Sequence, residues 1–377
     1  MKKIYYLAYY DIPTGNTDVV LAATNKMNYI IDVLTENGYE VVVVSASVNR
    51  NGQKVRGEFK QIRNNVFLKT FDSNISKIKL LRLFQFRFLK HKIKKYFRDT
   101  VKINDKLLIY HSLGYAKLYK WFYQKLKAKV ILETEEIYTD VTKVRGYSQD
   151  KEIQCLAWAD AYIFPTSLLN EKINKAQKPN VIIHGTYNVE KDYGDKFNDG
   201  KVHCVYAGTF DPRKGGVAAA AAAGQFLNEN YHIHILGSGT EKDEEVLKKQ
   251  IDETSKNTKC KITFDGLKSG EEYIRFIQKC DIGLSTQNPN AAFNDTSFPS
   301  KILSYMANGL RVVSVKIPAI TTSAINDYMY YYDEQTPQKI AEAISKVDLN
   351  DGYDGRKIIS ELDRNFEMRL KQMLYIL

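Results

Sequence analysis

Apolar runs of strand length alternate with amphipathic stretches along the chain. Ile4–Tyr9 is long enough for one buried strand, and 39–46 is a second run rich in β-branched residues. Between them lie a glycine-containing loop and a helical pattern that we expect to begin at a cap on Asp18 and to end near Glu36. A strand, a loop, a helix and a second strand in this order predict a parallel α/β unit.

The same alternation continues to the end of the chain, and it restarts after a polar stretch at 188–200. The predicted strands are 106–110, 129–133, 161–164, 180–183, 202–206, 232–236, 261–264, 282–285 and 311–315. The predicted helices are 116–126, 215–228, 241–256, 270–279, 300–307 and 355–374, and the alanine run 218–223 indicates close helix packing on a sheet.

This pattern predicts an α/β chain of two doubly wound, Rossmann-like domains. We expect domains at 1–187 and 201–354, a linker at 188–200, and a C-terminal segment at 355–377 placed against the first domain.

Composition narrows the class of protein. Among 377 residues, no apolar run approaches the roughly 18–20 residues that span a bilayer, and no cleavable leader pattern follows Met1. The four cysteines form no CxxC pair, which favours a reducing compartment and argues against a disulfide framework or a zinc site. We therefore expect a cytoplasmic protein.

The net charge of +11 lies in the first half of the chain. Residues 1–187 hold 31 Lys and Arg against 17 Asp and Glu, whereas residues 188–377 hold 24 against 27. Nine basic and no acidic residues fall within 77–98, interleaved with Leu, Ile and Phe. This mixture favours a helix on an anionic membrane surface, and a core helix with a solvated basic face is the alternative.

Glycines end several strands of the second half. Gly208 is followed by Arg213 and Lys214, and Gly237-Ser238 and Gly266 end the next two strands. Thr296-Ser297-Phe298-Pro299-Ser300-Lys301 precedes a further helix, which Ser297 or Ser300 is expected to cap. Strand-end glycines, cations and helix N-termini on one edge of a sheet favour a nucleoside diphosphate.

Residues 202–346 resemble the donor domain of GT-B glycosyltransferases, close to family 4 (the group 1 transferases). The most specific match is Phe298-Pro299-Ser300-Lys301 with the helix after it. More loosely, 11–47 resembles the family's opening strand, glycine loop and helix, and 159–166 resembles a further segment.

The resemblance implies that a nucleotide sugar lies in an interdomain cleft, held mainly by the C-terminal domain. Lys214 matches a lysine that holds the diphosphate in the family. Many members carry an arginine after the glycine of this strand; here that position is Thr209, and Arg213 is expected to take the role of the arginine. Thr296 and Ser304 occupy positions where many members carry glutamates. The implied donor contacts are Gly15, Gly208, Thr209, Arg213, Lys214, Gly237, Ser238, Gly266, Thr296, Ser297, Phe298, Pro299, Ser300, Lys301 and Ser304.

Three side chains are candidates for acid–base chemistry. His111 follows a strand at a family position that faces the cleft, and Glu135 and Glu136 follow the next strand. A hydrogen-bonded structural histidine and a solvated acidic loop are equally weighted alternatives.

No His, Asp or Glu spacing matches a metal site, so we expect no cofactor and no metal. The expected function is metal-independent, retaining transfer from a nucleoside-diphosphate sugar, first of all a UDP-sugar, to a lipid-linked or polysaccharide acceptor, as in bacterial envelope or capsule assembly. The expected partner surface is the inner face of the cytoplasmic membrane, through 77–98. A nucleotide-sugar epimerase or a sugar phosphorylase is the second hypothesis, and a basic nucleic-acid-binding or membrane-binding protein ranks last.

Overall fold

The structure, a computed structural model, describes residues 2–49, 51, 53–76, 78–141, 146–210, 216–291, 294 and 296–377. The chain forms two compact units, Met1–Ile183 together with Phe366–Leu377, and His184–Asn365. Residues 188–200 belong to the second unit.

The first unit is built on an eight-stranded sheet. Its strands are β1 (Lys2–Ala8), β2 (Tyr39–Ser45), β3 (Phe59–Arg63), β4 (Val66–Lys69), β5 (Lys106–Tyr110), β6 (Lys129–Glu133), β7 (Ala161–Phe164) and β8 (Asn180–Ile182). Its helices are α1 (Leu21–Glu36), α2 (Lys79–Thr100), α3 (Tyr119–Lys125), α4 (Tyr138–Val141), α5 (Gln149–Leu156) and α6 (Ser167–Ile173). The strand order is β3-β4-β2-β1-β5-β6-β7-β8, and all neighbours are parallel except β3 and β4.

The second unit is built on a six-stranded, wholly parallel sheet. Its strands are β9 (Val202–Thr209), β10 (Tyr231–Ser238), β11 (Lys261–Gly266), β12 (Ile282–Ser285), β13 (Arg311–Val315) and β14 (Met329–Tyr332). Its helices are α7 (Gly216–Ala223), α8 (Glu241–Ser255), α9 (Gly270–Lys279), α10 (Lys301–Ala307), α11 (Pro318–Thr321), α12 (Pro337–Ser345) and the first part of α13 (Gly355–Ile376). The strand order is β11-β10-β9-β12-β13-β14.

Both sheets bury apolar strands on two faces, as parallel sheets do. The Val41–Val44 run in the middle of β2 is fully buried. The alanine run forms α7, where Ala220, Ala221 and Ala223 have no exposed surface. A side chain at Gly216 would collide with the Thr286 carbonyl oxygen, so this helix needs small residues to pack as closely as it does.

The prediction of two parallel α/β units is confirmed, and five strands and the helix at 270–279 have the predicted bounds. The elements that were not predicted are strands β3, β4 and β14 and helices α4, α5, α6, α11 and α12. The β3 strand is a partly exposed edge strand with a polar sequence, so it carries no apolar run. The predicted cap on α1 is wrong, because the helix begins at Leu21 after Val20 and has no side-chain cap.

The last helix, α13, contributes to both units. From Phe366 onwards it belongs to the first unit, where the Phe366 ring lies 5.8 Å from the Tyr29 ring of α1. The Asn37 side-chain amide donates to the Glu367 carboxylate at 3.3 Å. Leu370, Met373 and Leu374 are buried.

Of the helices in the described ranges, none combines the length and the apolar character required for a membrane span.

Candidate functional site

The second sheet has its topological switch point between β9 and β12. On one side of β9 lie β10 and then β11, and on the other side lie β12, β13 and β14. Pairing of β9 with β12 stops at Cys204 and Val205, so the last residues of β9 diverge from β12. In open parallel sheets ligands bind outside the carboxyl ends of the strands at this point.

The predicted glycines lie along that edge. Gly208 and Gly237 are direct neighbours on β9 and β10, and Gly266 ends β11. A side chain on Gly237 would place its Cβ 1.8 Å from the Gly208 carbonyl oxygen, and its φ of +133° is one that other residues rarely adopt. Gly237 therefore has to be glycine for the ends of β9 and β10 to pack against each other. At this position the edge of the sheet presents backbone atoms without side chains.

Lys301 places a cation beside this backbone. Its ammonium lies 4.0 Å from the centre of the Tyr206 ring. A Cβ on Gly208 would lie 3.2 Å from the same Nζ atom. The first residue of α10 thus brings its charge to the end of β9, at the switch point, which is suitable for an anionic ligand group.

The predicted side-chain cap of α10 is absent at Ser300. Ser300 is the N-cap residue, but its backbone is helical and its side chain makes no capping bond. The helix has only seven residues. In this region the Lys301 side chain, and not the helix end, is therefore the feature suited to an anionic ligand.

The neighbouring candidates occupy mixed environments. Thr296 and Phe298 are buried, Ser297, Pro299 and Ser304 are half-buried, and Ser300 and Thr209 are exposed. The Ser304 hydroxyl lies 3.3 Å from the Tyr273 hydroxyl. Ser238 is half-buried, and its carbonyl oxygen accepts a hydrogen bond from the backbone of Phe210. Arg213 and Lys214 lie outside the described residues.

His184 follows a predicted strand, where it is expected to border the cleft or the hinge, and it lies against the donor segment. Its ring stacks on that of Phe298 with 4.6 Å between centroids. Its backbone N–H donates to the Tyr187 hydroxyl at 3.0 Å.

In the first unit the switch point lies between β1 and β5. The loop after β1 wraps around the Asp11 carboxylate, which accepts from the Ile12 and Thr17 backbones and from the Thr17 hydroxyl. A Cβ on Gly15 would lie 2.0 Å from this carboxylate, so the loop requires glycine there. Gly15 is therefore explained by a contact within its own loop.

His111 follows β5 and is almost fully buried. Its Nδ1 lies 2.9 Å from the Tyr119 hydroxyl and its Nε2 lies 2.8 Å from the Glu152 carboxylate. Burial raises the pKa of Glu152, but hydrogen bonds from His111 and Thr139 outweigh it and hold that pKa below its ordinary value. Both ring nitrogens face protein partners, which is the geometry of the hydrogen-bonded alternative.

Of the two acidic residues that follow β6, Glu135 pairs with Lys26 of α1. The Lys26 ammonium lies 2.5 Å from the Glu135 carboxylate and donates to the Ile183 carbonyl at 3.3 Å. Glu135 and Glu136 are half-buried, so these two carboxylates are more accessible than His111.

Glu133 is a further titratable residue of this acidic stretch, and it was not among the predicted site residues. It is fully buried at the end of β6, where Tyr6 donates to its Oε2 while its Oε1 has no hydrogen-bond partner among the described residues. Burial raises the pKa of Glu133 to about 8, although the charge of Lys26 opposes the change. The available signal was a carboxylate directly after the apolar run Val130–Leu132.

Comparisons with known proteins agree with this architecture. Residues 201–349 match the family model described as Glycosyl transferases group 1. No curated protein matches the chain by sequence. Among solved structures, the chain resembles sucrose-phosphate synthase from Thermosynechococcus elongatus, with a TM-score of 0.72 and 13% identity over 99% of this chain and 98% of that one.

Two further similar structures contain ligands. One is trehalose-6-phosphate from E. coli bound with UDP-2-fluoro glucose, with a TM-score of 0.66 and 9% identity over 100% of this chain and 98% of that one. The other is an alpha,alpha-trehalose-phosphate synthase (UDP-forming) from Burkholderia xenovorans in complex with glucose-6-phosphate, with a TM-score of 0.65 and 10% identity over 99% and 97%. At these identities the likeness establishes the fold. The chain therefore has the GT-B fold, and its residues 201–349 match the group 1 glycosyltransferase family.

Proposed function

We propose that the protein transfers a sugar from a nucleoside-diphosphate sugar, with a UDP-sugar as the first candidate, to a lipid-linked or polysaccharide acceptor at an anionic membrane surface. The setting we propose is bacterial surface polysaccharide synthesis at the inner face of the cytoplasmic membrane.

The observation that carries the donor half of the proposal is the position of Lys301. Its ammonium stands beside Gly208 at the switch point, where backbone without side chains leaves room for a diphosphate. The UDP in the names of two structural neighbours supports uridine as the first nucleoside to test.

We propose that protein cations take up the charge of the leaving diphosphate without a metal ion. Lys301 stabilises negative charge that develops on the phosphate oxygens, and Arg213 and Lys214 join it by the family resemblance. We propose retention of configuration on the same resemblance. Glu135 and Glu136 are the proposed groups that bind or deprotonate the acceptor hydroxyl.

The observation that supports a membrane-bound acceptor is the N-terminal half of α2. Counting the N-cap residue Ile78, six large apolar side chains there expose 50–65% of their surface: Ile78, Leu80, Leu81, Leu83, Phe84 and Phe88. The buried residues of the helix, Leu89, Ile93 and Phe97, all come later. Because basic residues alternate with the exposed apolar ones, the surface suits anionic lipid headgroups over an acyl layer.

Replacing Lys301 by alanine is expected to weaken binding of UDP or the UDP-sugar by about ten- to a hundredfold. A hydrogen bond to a charged group contributes about 1.5–3 kcal/mol, and about 1.4 kcal/mol corresponds to a factor of ten. We would measure thermal shifts with UDP, GDP, ADP, CMP and their sugars, with and without EDTA, followed by calorimetric titration of the nucleotide that binds.

Lys259→Ala is the matched control, since Lys259 is exposed just before the amino end of β11. Equal affinity in the Lys301 variant and the control would refute the assigned role of Lys301. Absence of binding by every nucleotide in the wild type would refute the transferase proposal itself.

The acceptor is tested separately, with the donor sugar that binds. Lipid-linked acceptors in vesicles, soluble oligosaccharides and sugar phosphates such as glucose 6-phosphate are compared for nucleotide release. Turnover with the sugar phosphate alone would replace the lipid-linked acceptor by a soluble one. Isomerisation of the donor without any acceptor would favour an epimerase.

A further inference from the structure

Three histidines that no predicted role uses converge in the second unit. His203 on β9 is the direct neighbour of His232 on β10, and His234 follows two residues later, so all three side chains lie on one face of the sheet. All are buried, and the His232 and His234 rings lie 3.8 Å apart. One ring nitrogen from each lies within 4.8 Å of those from the other two.

Two carboxylates fix the outer nitrogens of two of these rings. His203 Nε2 lies 2.8 Å from the Asp199 carboxylate, and His234 Nδ1 lies 3.1 Å from the Asp265 carboxylate. An ionised carboxylate only accepts hydrogen bonds, so both outer nitrogens carry protons. In neutral rings the inner nitrogens, His203 Nδ1 and His234 Nε2, then carry lone pairs.

Those two inner nitrogens are only 2.9 Å apart. Two lone pairs at this distance repel each other unless a positive species lies between them. That species is either a shared proton or a metal ion.

The surroundings match those of a metal centre. Histidines that bind metal ions commonly donate their second N–H to a carboxylate, as His203 and His234 do. The Thr263 hydroxyl donates to Asp265 at 2.7 Å, so it accepts from His232 Nε2 at 3.0 Å and leaves Nδ1 as the lone-pair nitrogen of that ring. Phe197 stacks on His203 and His234 and shields the cluster.

The distances need only small adjustments. Zinc–nitrogen bonds of about 2.0–2.1 Å place two tetrahedral ligand nitrogens about 3.3 Å apart. His203 and His234 would therefore separate by roughly 0.4 Å, and His232 would turn toward them. Imidazole ligands suit zinc, nickel and copper, whereas magnesium and calcium prefer oxygen.

We propose that His203, His232 and His234 bind one zinc-class ion that holds β9 and β10 together in the second unit. The cluster lies at the amino ends of these strands, and Gly208 and Gly237 follow five and three residues after His203 and His234. Along β10, Gly237 is therefore about 10 Å from His234 and about 16 Å from His232. The ion is structural and takes no part in the proposed transfer.

The test uses the full chain, freed of metal with a chelator. We expect about one equivalent of Zn²⁺ to bind in competition with a colorimetric chelator, and saturating Zn²⁺ to raise Tm by several degrees while Mg²⁺ has no effect. Co²⁺ in the wild type should give the visible absorption bands of a tetrahedral nitrogen-coordinated ion, which does not depend on any variant folding.

His234→Gln and His203→Asn should each lower zinc affinity at least tenfold and remove the Tm shift. His91→Gln is the control, since His91 is an exposed histidine on α2. If the wild type neither binds zinc stoichiometrically nor shows the cobalt bands, the proposal is overturned in favour of a shared proton. Zinc binding unchanged in both cluster variants would overturn it as well.

Discussion

Replacing Phe84 and Phe88 together by serine is expected to weaken binding to anionic vesicles by about a hundredfold. Each ring exposes about 60% of its surface on α2. Burying one phenylalanine in an apolar layer contributes about 1.5–3 kcal/mol, and each 1.4 kcal/mol corresponds to about a factor of ten. The measurement is cosedimentation with phosphatidylglycerol-containing vesicles, repeated with phosphatidylcholine vesicles and at higher salt.

Phe226→Ser supplies the control for this prediction. Phe226 exposes 54% of its surface in the second unit, so its replacement removes a similar apolar area elsewhere. If α2 is the docking surface, the control binds like the wild type and added salt weakens binding, because basic residues contribute to it. Indistinguishable binding of the double variant and the wild type would rule out α2 as the membrane contact.

The second large effect concerns the pH dependence of stability. The pKa of Glu133 is raised to about 8 in the folded protein, from 4.5 as its ordinary value. Between these values the folded state holds a proton that the unfolded state has released, so wild-type stability falls as pH rises toward 8. Glu133→Gln has no proton to lose and should be free of this decline.

The expected size follows from about 1.4 kcal/mol for each pKa unit. From about pH 6 to pH 8, the variant should gain roughly 2–3 kcal/mol relative to the wild type. That corresponds to about 5–10 °C in the difference between their melting temperatures. Circular-dichroism melts of both proteins at several pH values measure this difference, whatever constant offset the amide introduces.

Glu171→Gln on α6 is the matched change, because Glu171 is an exposed glutamate of the same unit. Its melting temperature should follow that of the wild type at every pH. Parallel curves for Glu133→Gln and the wild type would mean that Glu133 is ionised in the folded protein throughout this range.

Most of the fold could be predicted from the sequence, because most of its buried strands are continuous runs of apolar residues. The bounds of β5, β6, β7, β12 and β13 follow from such runs alone. The hairpin of β3 and β4 was missed since an edge strand is stabilised by pairing with its neighbour, which leaves no apolar run to recognise. The α1 cap was misplaced because Asp18 is followed by two residues of loop.

The candidate site was predictable in part. The strand-end glycines could be found because a bare backbone edge demands glycine, and Lys301 could be found from its family motif. The contact between Lys301 and Gly208 could not be predicted, because it depends on the order of the strands in the sheet. In that sheet β12 lies beside β9, although β10 and β11 come between them in the chain. The histidine cluster was hidden for a similar reason, since His203 meets His232 only through the register of β9 and β10.

Helix α13 determines the order in which the two units can be completed during synthesis. Its last residues, from Phe366 to Leu377, supply buried side chains to the first unit, whereas the second unit is one continuous segment, His184–Asn365. During synthesis on the ribosome, every residue of the second unit has therefore been added before the first unit is complete. The half of the protein that is translated first is the last to have all of its core.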